Sequence, residues 1–131
     1  VIGLIWAGIA RYMYLCGHAY LAGCASVPLA DGPAVWDAIR AKHLAPQQFQ
    51  VRPHIGMGTD LLAPKATAQI PPLVRGYLRL GAWVCGPPAV DDDFGCADFF
   101  VLLPMDRVDQ RYLKFFLGSV DASVGEGGGA R

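Results

Sequence analysis

Apolar residues recur at intervals of three and four over the first sixteen positions: Ile2, Ile5, Ile9, Met13 and Cys16. That spacing aligns them on one stripe of a helix over 1–16. Gly17 stands where such a helix would end. The compact apolar run 19–25, Ala-Tyr-Leu-Ala-Gly-Cys-Ala, is bounded by Gly17-His18 and Ser26 and predicts a short buried strand. A second helix is predicted over 33–44. Pro33 fits its first turn, Asp31 is a candidate cap, and Pro46 stops it. Gln48-Phe49-Gln50-Val51-Arg52 alternates polar and apolar residues, the pattern of a half-exposed strand.

Residues 53–69 hold Pro53, Gly56, Gly58 and Pro64 and few large apolar groups, so they read as a long loop. Long loops in compact domains are commonly functional or mobile. Two prolines, Pro71 and Pro72, then open an amphipathic stretch that closes on Gly81, which predicts a short helix over 70–81. Residues 82–85 predict a short strand, broken by Gly86-Pro87-Pro88. Residues 97–103 predict another, with Asp98 near its start. Asp106 is a natural N-cap, with Asp109 in the first turn of a helix running to about residue 117. That helix buries Val108, Tyr112 and Phe115 or Phe116, and Gly118 ends it. Residues 118–131 are glycine-rich and read as a flexible tail. Helices interleaved with strands predict a mixed α/β fold, one sheet with helices packed on it.

Composition sharpens this picture. The chain of 131 residues is one domain or part of one. Hydrophobic residues make up 53% and charged residues 17%. Both lean apolar for a small chain, whose surface is largely wet. The excess apolar surface is therefore expected to meet another part of the same protein, a second subunit or lipid. Eleven basic residues balance eleven acidic ones, which argues against a nucleic-acid footprint. The first residue is Val1, and the apolar run begins at once with no capping residue before it. No basic segment precedes it as in a signal peptide, and Arg11 interrupts it too early for a transmembrane helix. The expectation is the C-terminal part of a longer protein, entered just inside a helix.

Candidate chemistry is sparse. Cys16, Cys24, Cys85 and Cys96 show no C-x-x-C spacing, so buried free thiols are expected and no metal site. His18, His43 and His54 each read more readily as surface or helix-end residues than as a general base. Gly56-Met57-Gly58 is too short for a phosphate loop. The most unusual stretch runs from Arg75 to Asp98. Arg75 and Arg79 lie four apart on one helix face with Tyr77 between them. Their like charges call for something anionic. It is either an aspartate of the Asp91-Asp92-Asp93 run or a ligand phosphate or carboxylate. A solvated acidic turn is the plain alternative for the aspartates. Position 102 is Leu where an EF-hand needs Glu. Cys24 and Ser26 lie at the end of a predicted core strand, where ligands gather in open α/β sheets; simple packing with a polar strand end is the plain alternative. No base stands near Cys24 in sequence, which gives nucleophilic catalysis no support.

Three blocks together resemble the ornithine-lipid N-acyltransferases, hemolysin-like bacterial enzymes of the GNAT acyltransferase superfamily. The first is Val1-Ile2-Gly3-Leu4-Ile5-Trp6-Ala7-Gly8-Ile9-Ala10-Arg11-Tyr12, followed by Tyr20-Leu21-Ala22-Gly23-Cys24-Ala25-Ser26. The second is Pro71-Pro72-Leu73-Val74-Arg75-Gly76-Tyr77-Leu78-Arg79-Leu80-Gly81-Ala82. The third is Cys85-Gly86, Pro88-Ala89, Asp91, Asp93-Phe94-Gly95 and Ala97-Asp98, ending in Arg111-Tyr112. The resemblance covers residues 1–117. It departs from the family at Pro87, where an acidic residue is frequent, and at Asp92, where a proline is common.

The resemblance implies part of a GNAT-like fold. It implies transfer of a 3-hydroxyacyl chain from acyl carrier protein to the α-amino group of L-ornithine, yielding lyso-ornithine lipid. Acyl carrier protein and ornithine are the implied partners. No bound cofactor and no nucleic acid are expected. The implied place is the cytoplasm, with peripheral contact at the inner membrane face. Residues 1–16 would be the helix after the donor loop, and 20–26 the strand beside the acyl-pantetheine cleft. Gly23, Cys24 and Ser26 would line that cleft. The donor loop itself would lie before Val1, so this chain by itself is expected to lack the donor-binding half.

Amine attack on a thioester needs a neutral amine and donors for the developing oxyanion. Arg75 or Arg79 would hold the ornithine carboxylate, with Tyr77 beside them. Asp91, Asp93 or Asp98 would hold the side-chain ammonium. A non-catalytic lipid- or partner-binding GNAT module is the alternative from a different class. An acyl-homoserine-lactone synthase relative with a different amine is a weaker one.

Overall fold

The computed structural model describes residues 2–62, 69–108 and 111. Helix α1 spans Ile2–Cys16. Gly17 closes it in a left-handed conformation (φ 67°). His18 N–H donates to Met13 O at 3.0 Å and Gly17 N–H to Tyr14 O at 3.3 Å. Two otherwise orphaned carbonyls are thus satisfied by the pattern that favours glycine at this position. Strand β1 follows over Tyr20–Pro28, starting one residue later than the sequence predicts and running three further. Helix α2 covers Gly32–His43, with Pro33 in its first turn. Asp31 occupies the cap position, but its side chain makes no capping bond. It closes a 3₁₀ turn, Leu29–Asp31, so its own backbone is already helical.

The predicted strand over 48–52 is not formed. Gln47–Phe49 is a 3₁₀ turn. Pro46 and Pro53 flank the segment and supply no N–H for a ladder. Its polar/apolar alternation has a different cause. Phe49 turns inward onto the rings of Tyr20 and Trp83, each at 5.6 Å, while Val51 stays 44% exposed. The loop after it contains a third 3₁₀ turn, Gly58–Leu62, and residues 63–68 lie outside the described residues.

Helix α3 is Pro72–Leu80, ended by Gly81 at φ 109°. Strand β2 is Trp83–Val84, β3 is Ala89–Asp91 and β4 is Cys96–Pro104. The sequence pattern did not predict β3, which is three residues wedged between Pro88 and an acidic turn. Met105–Arg107 forms a 3₁₀ turn that contains Asp106. Val108 is buried, as expected. Of the rest of the helix predicted to residue 117, only Arg111 is among the described residues, and it is helical; the tail 118–131 lies outside them.

The fold class is therefore mixed α/β, as the sequence predicted: an open antiparallel sheet with helices against it, consistent with part of a GNAT-like fold. The central strand is β4. Its whole length pairs with β1, from Tyr20↔Pro104 to Pro28↔Cys96. Its other edge is shared by β2 and β3. The outer edge of β1 has no strand partner among the described residues.

Strand alternation decides what is buried. Ala97, Phe99 and Val101 of β4, with Ala25 and Val27 of β1, face Val35, Trp36 and Ile39 of α2 and Val74 and Leu78 of α3. Phe99 is fully buried and stacks on Trp36 with ring centres 6.5 Å apart. Among the described residues, the opposite face is covered where Ala45 and Phe49 meet Cys85 and Leu102. There Arg107 lies over the Trp83 ring at 4.8 Å and donates from Nε to Gly81 O at 3.1 Å. At the end of α2, burial and then the charges of Lys42 and Arg107 hold His43 below its ordinary pKa.

Gly86 is a contact glycine. A Cβ there would collide with the Val51 carbonyl oxygen, and Val51 N–H bonds to Cys85 O at 2.9 Å. Gly86→Ala is expected to cost about 1–3 kcal/mol, as overpacking does. Gly23→Ala, whose Cβ would meet nothing within 4 Å, is expected to stay within about 0.5 kcal/mol. Urea denaturation of both variants checks this, and equal midpoints would contradict it.

Candidate functional site

An apolar groove runs beside the free edge of β1. Trp6 and Ile9 reach it from α1 and Tyr77 from α3; Leu21, Gly23 and Cys24 line it from β1, and Val101 and Leu103 form its floor from β4. Its volume is about 140 Å³. None of its lining side chains carries a charge. The helices hold it open by their own packing. The Trp6 ring meets the Tyr77 ring edge-on at 5.3 Å, an arrangement that favours aromatic pairs beyond their buried area. Gly23 leaves open space above the strand where any larger residue would project.

The groove offers two kinds of interaction. Its walls exclude water from an apolar occupant. The main chain of β1, without a strand on its outer side among the described residues, presents N–H and C=O groups that seek partners. A linear apolar chain ending in a polar, hydrogen-bonding group matches both.

The residues singled out from the sequence are distributed as follows. Gly23, Cys24 and Tyr77 line the groove. Ser26, two residues beyond Cys24 and on the same face of β1, is exposed and lies outside the groove lining. Its Oγ donates to Asp98 Oδ1 at 2.7 Å across the β1–β4 ladder. Arg79 lines a neighbouring surface recess with Tyr77. Arg75 is exposed and donates from its guanidinium to Ile70 O at 3.3 Å. Asp91 ends β3, and its Oδ1 accepts the Phe94 N–H at 3.1 Å. Asp93 is exposed in the same turn, which Gly95 closes at φ 65°. Among the described residues no ion pair or hydrogen bond joins Arg75 or Arg79 to these aspartates.

Sequence reasoning missed Trp6, Ile9, Leu21, Val101 and Leu103. Each reads as an ordinary core residue, and only the tertiary arrangement turns them toward one space. All four cysteines are free thiols, but only Cys85 is buried as expected; Cys16 and Cys24 are exposed. Among the described residues no cluster of His, Cys, Asp and Glu could hold a metal ion. Nor is any described helix long and apolar enough to cross a membrane.

Set against known proteins, the chain is 32% identical over 127 residues to the L-ornithine N(alpha)-acyltransferase of Brucella abortus, a match covering 88% of this chain and 45% of that protein. It is 28% identical over 134 residues to the protein of the same name from Rhizobium meliloti, covering 88% and 43%. With that of Agrobacterium fabrum it shares 29% over 140 residues, covering 92% and 45%. The resemblance read from the sequence blocks is borne out by these matches. The chain spans a little under half the length of the curated relatives it matches. No family model matches it, and no solved structure does.

Cys24 is exposed at the groove, whereas Cys85 is fully buried and burial pushes its thiol pKa up. Reactivity follows thiolate fraction and access. Iodoacetamide near neutral pH is expected to modify Cys24 well before Cys85, read by peptide mass spectrometry. Labelling of Cys85 first would contradict the placement of β1 and β2.

Proposed function

We propose that this chain forms the acyl-binding part of an N-acyltransferase that moves a 3-hydroxyacyl chain from acyl carrier protein to the α-amino group of L-ornithine, the first step of ornithine-lipid synthesis. The observation that carries the reading is the uncharged groove along the free edge of β1, in a chain similar to proteins of that name. The acyl chain lies against Leu21, Val101 and Leu103. The thioester carbonyl lies at the strand edge, where main-chain N–H groups stabilise the oxyanion. The neutral amine attacks that carbonyl, a C–N bond forms, the C–S bond breaks, and the amine proton leaves with the thiol of the carrier. The product is amphiphilic, which suits release at the inner face of the membrane.

The polar residues take the acceptor. Arg75 or Arg79 pairs with the ornithine carboxylate, the latter beside Tyr77 at the edge of the groove. Of the aspartates, Asp91 and Asp98 already accept hydrogen bonds within the protein. Asp93 is exposed in the turn before β4, and it is the carboxylate we assign to the ammonium of the free amino acid.

Gly23→Val separates this function from folding. A β-branched residue suits the strand, and its side chain enters the groove. In the full-length protein expressed in cells, wild type is expected to yield lyso-ornithine lipid by mass spectrometry. Gly23→Val is expected to lose about a hundredfold in rate through misplacement of the acyl chain, with its denaturation midpoint preserved. Absence of the lipid with wild type, or full activity in the variant, would overturn the reading.

Acceptor recognition has its own test. Arg75→Ala and Asp93→Ala in the full-length enzyme are each expected to raise the ornithine KM about tenfold, as loss of a charged hydrogen bond does. Unchanged kinetics in both would remove the assignment.

A further inference from the structure

Three recesses meet at one side chain. Trp6 lines the groove beside β1, a small cavity of about 30 Å³ beneath α1, and a surface recess of about 310 Å³ against α3. Tyr77 lines the first and third, so the Trp6–Tyr77 pair is their common wall. Leu21 and Leu103 line the first and second. The surface recess has apolar walls from Pro72, Leu73 and Leu80, with Arg79 as its one charged residue.

We infer that the Trp6–Tyr77 pair is the stop that sets how long an acyl chain the groove accepts, with Trp6 the specificity-determining residue. This rests on the function proposed above. An apolar cavity of about 150 Å³ holds one benzene, so the 140 Å³ of the groove takes roughly six carbons of a chain. Beyond that the chain meets the indole. The space behind it is already apolar and larger than the groove itself. Removing the indole therefore opens a path rather than a void that must be created. The edge-on contact at 5.3 Å keeps the indole from swinging aside. Below the limit each methylene is expected to raise affinity about fourfold, the ordinary gain for burying that group. Above it the gain ends.

Gly76 supplies a control from the other side. It lines the surface recess, and a Cβ there would meet nothing within 4 Å. A leucine at this position fills the recess without touching the groove, and it improves helix propensity.

The test is calorimetric binding of a graded series of saturated fatty acids, lengthened one carbon at a time, to wild type, Trp6→Ala, Trp6→Leu and Trp6→Ala/Gly76→Leu. Wild type is expected to show a fourfold gain per carbon up to a limit and none beyond. Trp6→Ala extends the gain to longer chains. Trp6→Leu, which keeps an apolar body against Tyr77, extends it less and covers the case in which the alanine variant does not fold. Gly76→Leu in the Trp6→Ala background restores the wild-type limit. The same limit in every folded Trp6 variant, or no dependence on length in wild type, would overturn the inference. A shifted limit in a protein that makes no lyso-ornithine lipid would leave the stop standing and remove the proposed reaction.

Discussion

The nine-residue antiparallel ladder between β1 and β4 is the constraint on which the rest depends. Because side chains alternate along both strands, the register that buries Phe99 and Val101 also buries Ala25 and Val27 and turns Cys24 and Ser26 outward. A slip of one residue would reverse every one of these choices. The ladder also fixes what is left over. It occupies one edge of β1 completely, and among the described residues the other edge has no strand partner. With α1 and α3 seated against the same face, the groove is the space their aromatic contact keeps open.

Charge is kept away from that space. Asp91, Asp92 and Asp93 gather at the turn between β3 and β4, where Asp91 already accepts a hydrogen bond, Asp98 accepts another within β4, and the arginines of α3 stand on its exposed side. A dry groove strengthens whatever hydrogen bonds form at its edge. A charge inside it would cost more than it returned unless paired. The division suits a substrate with a long apolar part and a reacting group at one end, approached by a small zwitterion from the wet side.

Much of the fold could be read in the sequence where local signals agreed. The stripe from Ile2 to Cys16, closed by Gly17, gave α1 nearly to the residue. Pro71-Pro72 and Gly81 bracketed α3 in the same way. The signals failed where pattern and partner diverged. Gln48 to Arg52 alternates like a strand, yet prolines deny it a ladder and only Phe49 turns inward. The three residues of β3 are too few for any periodicity, and they exist because β4 offers an edge. Of the site, Cys24 was found by strand position, Tyr77 by the arginines around it, and Gly23 through the family resemblance alone. Trp6, Leu21 and Leu103 were not. They come from separate elements, and nothing in their local sequence distinguishes a groove wall from a core.

The central claim is that an acyl chain lies in the groove against β1 and β4. It is tested most directly by intermolecular nuclear Overhauser effects in methyl-labelled protein with a saturating short fatty acid. The account predicts contacts from the chain to the methyl groups of Ile9, Leu21, Val101 and Leu103. Contacts confined to the exposed Leu4, Ile5 and Leu15 of α1, with none at Leu21 or Val101, would contradict it.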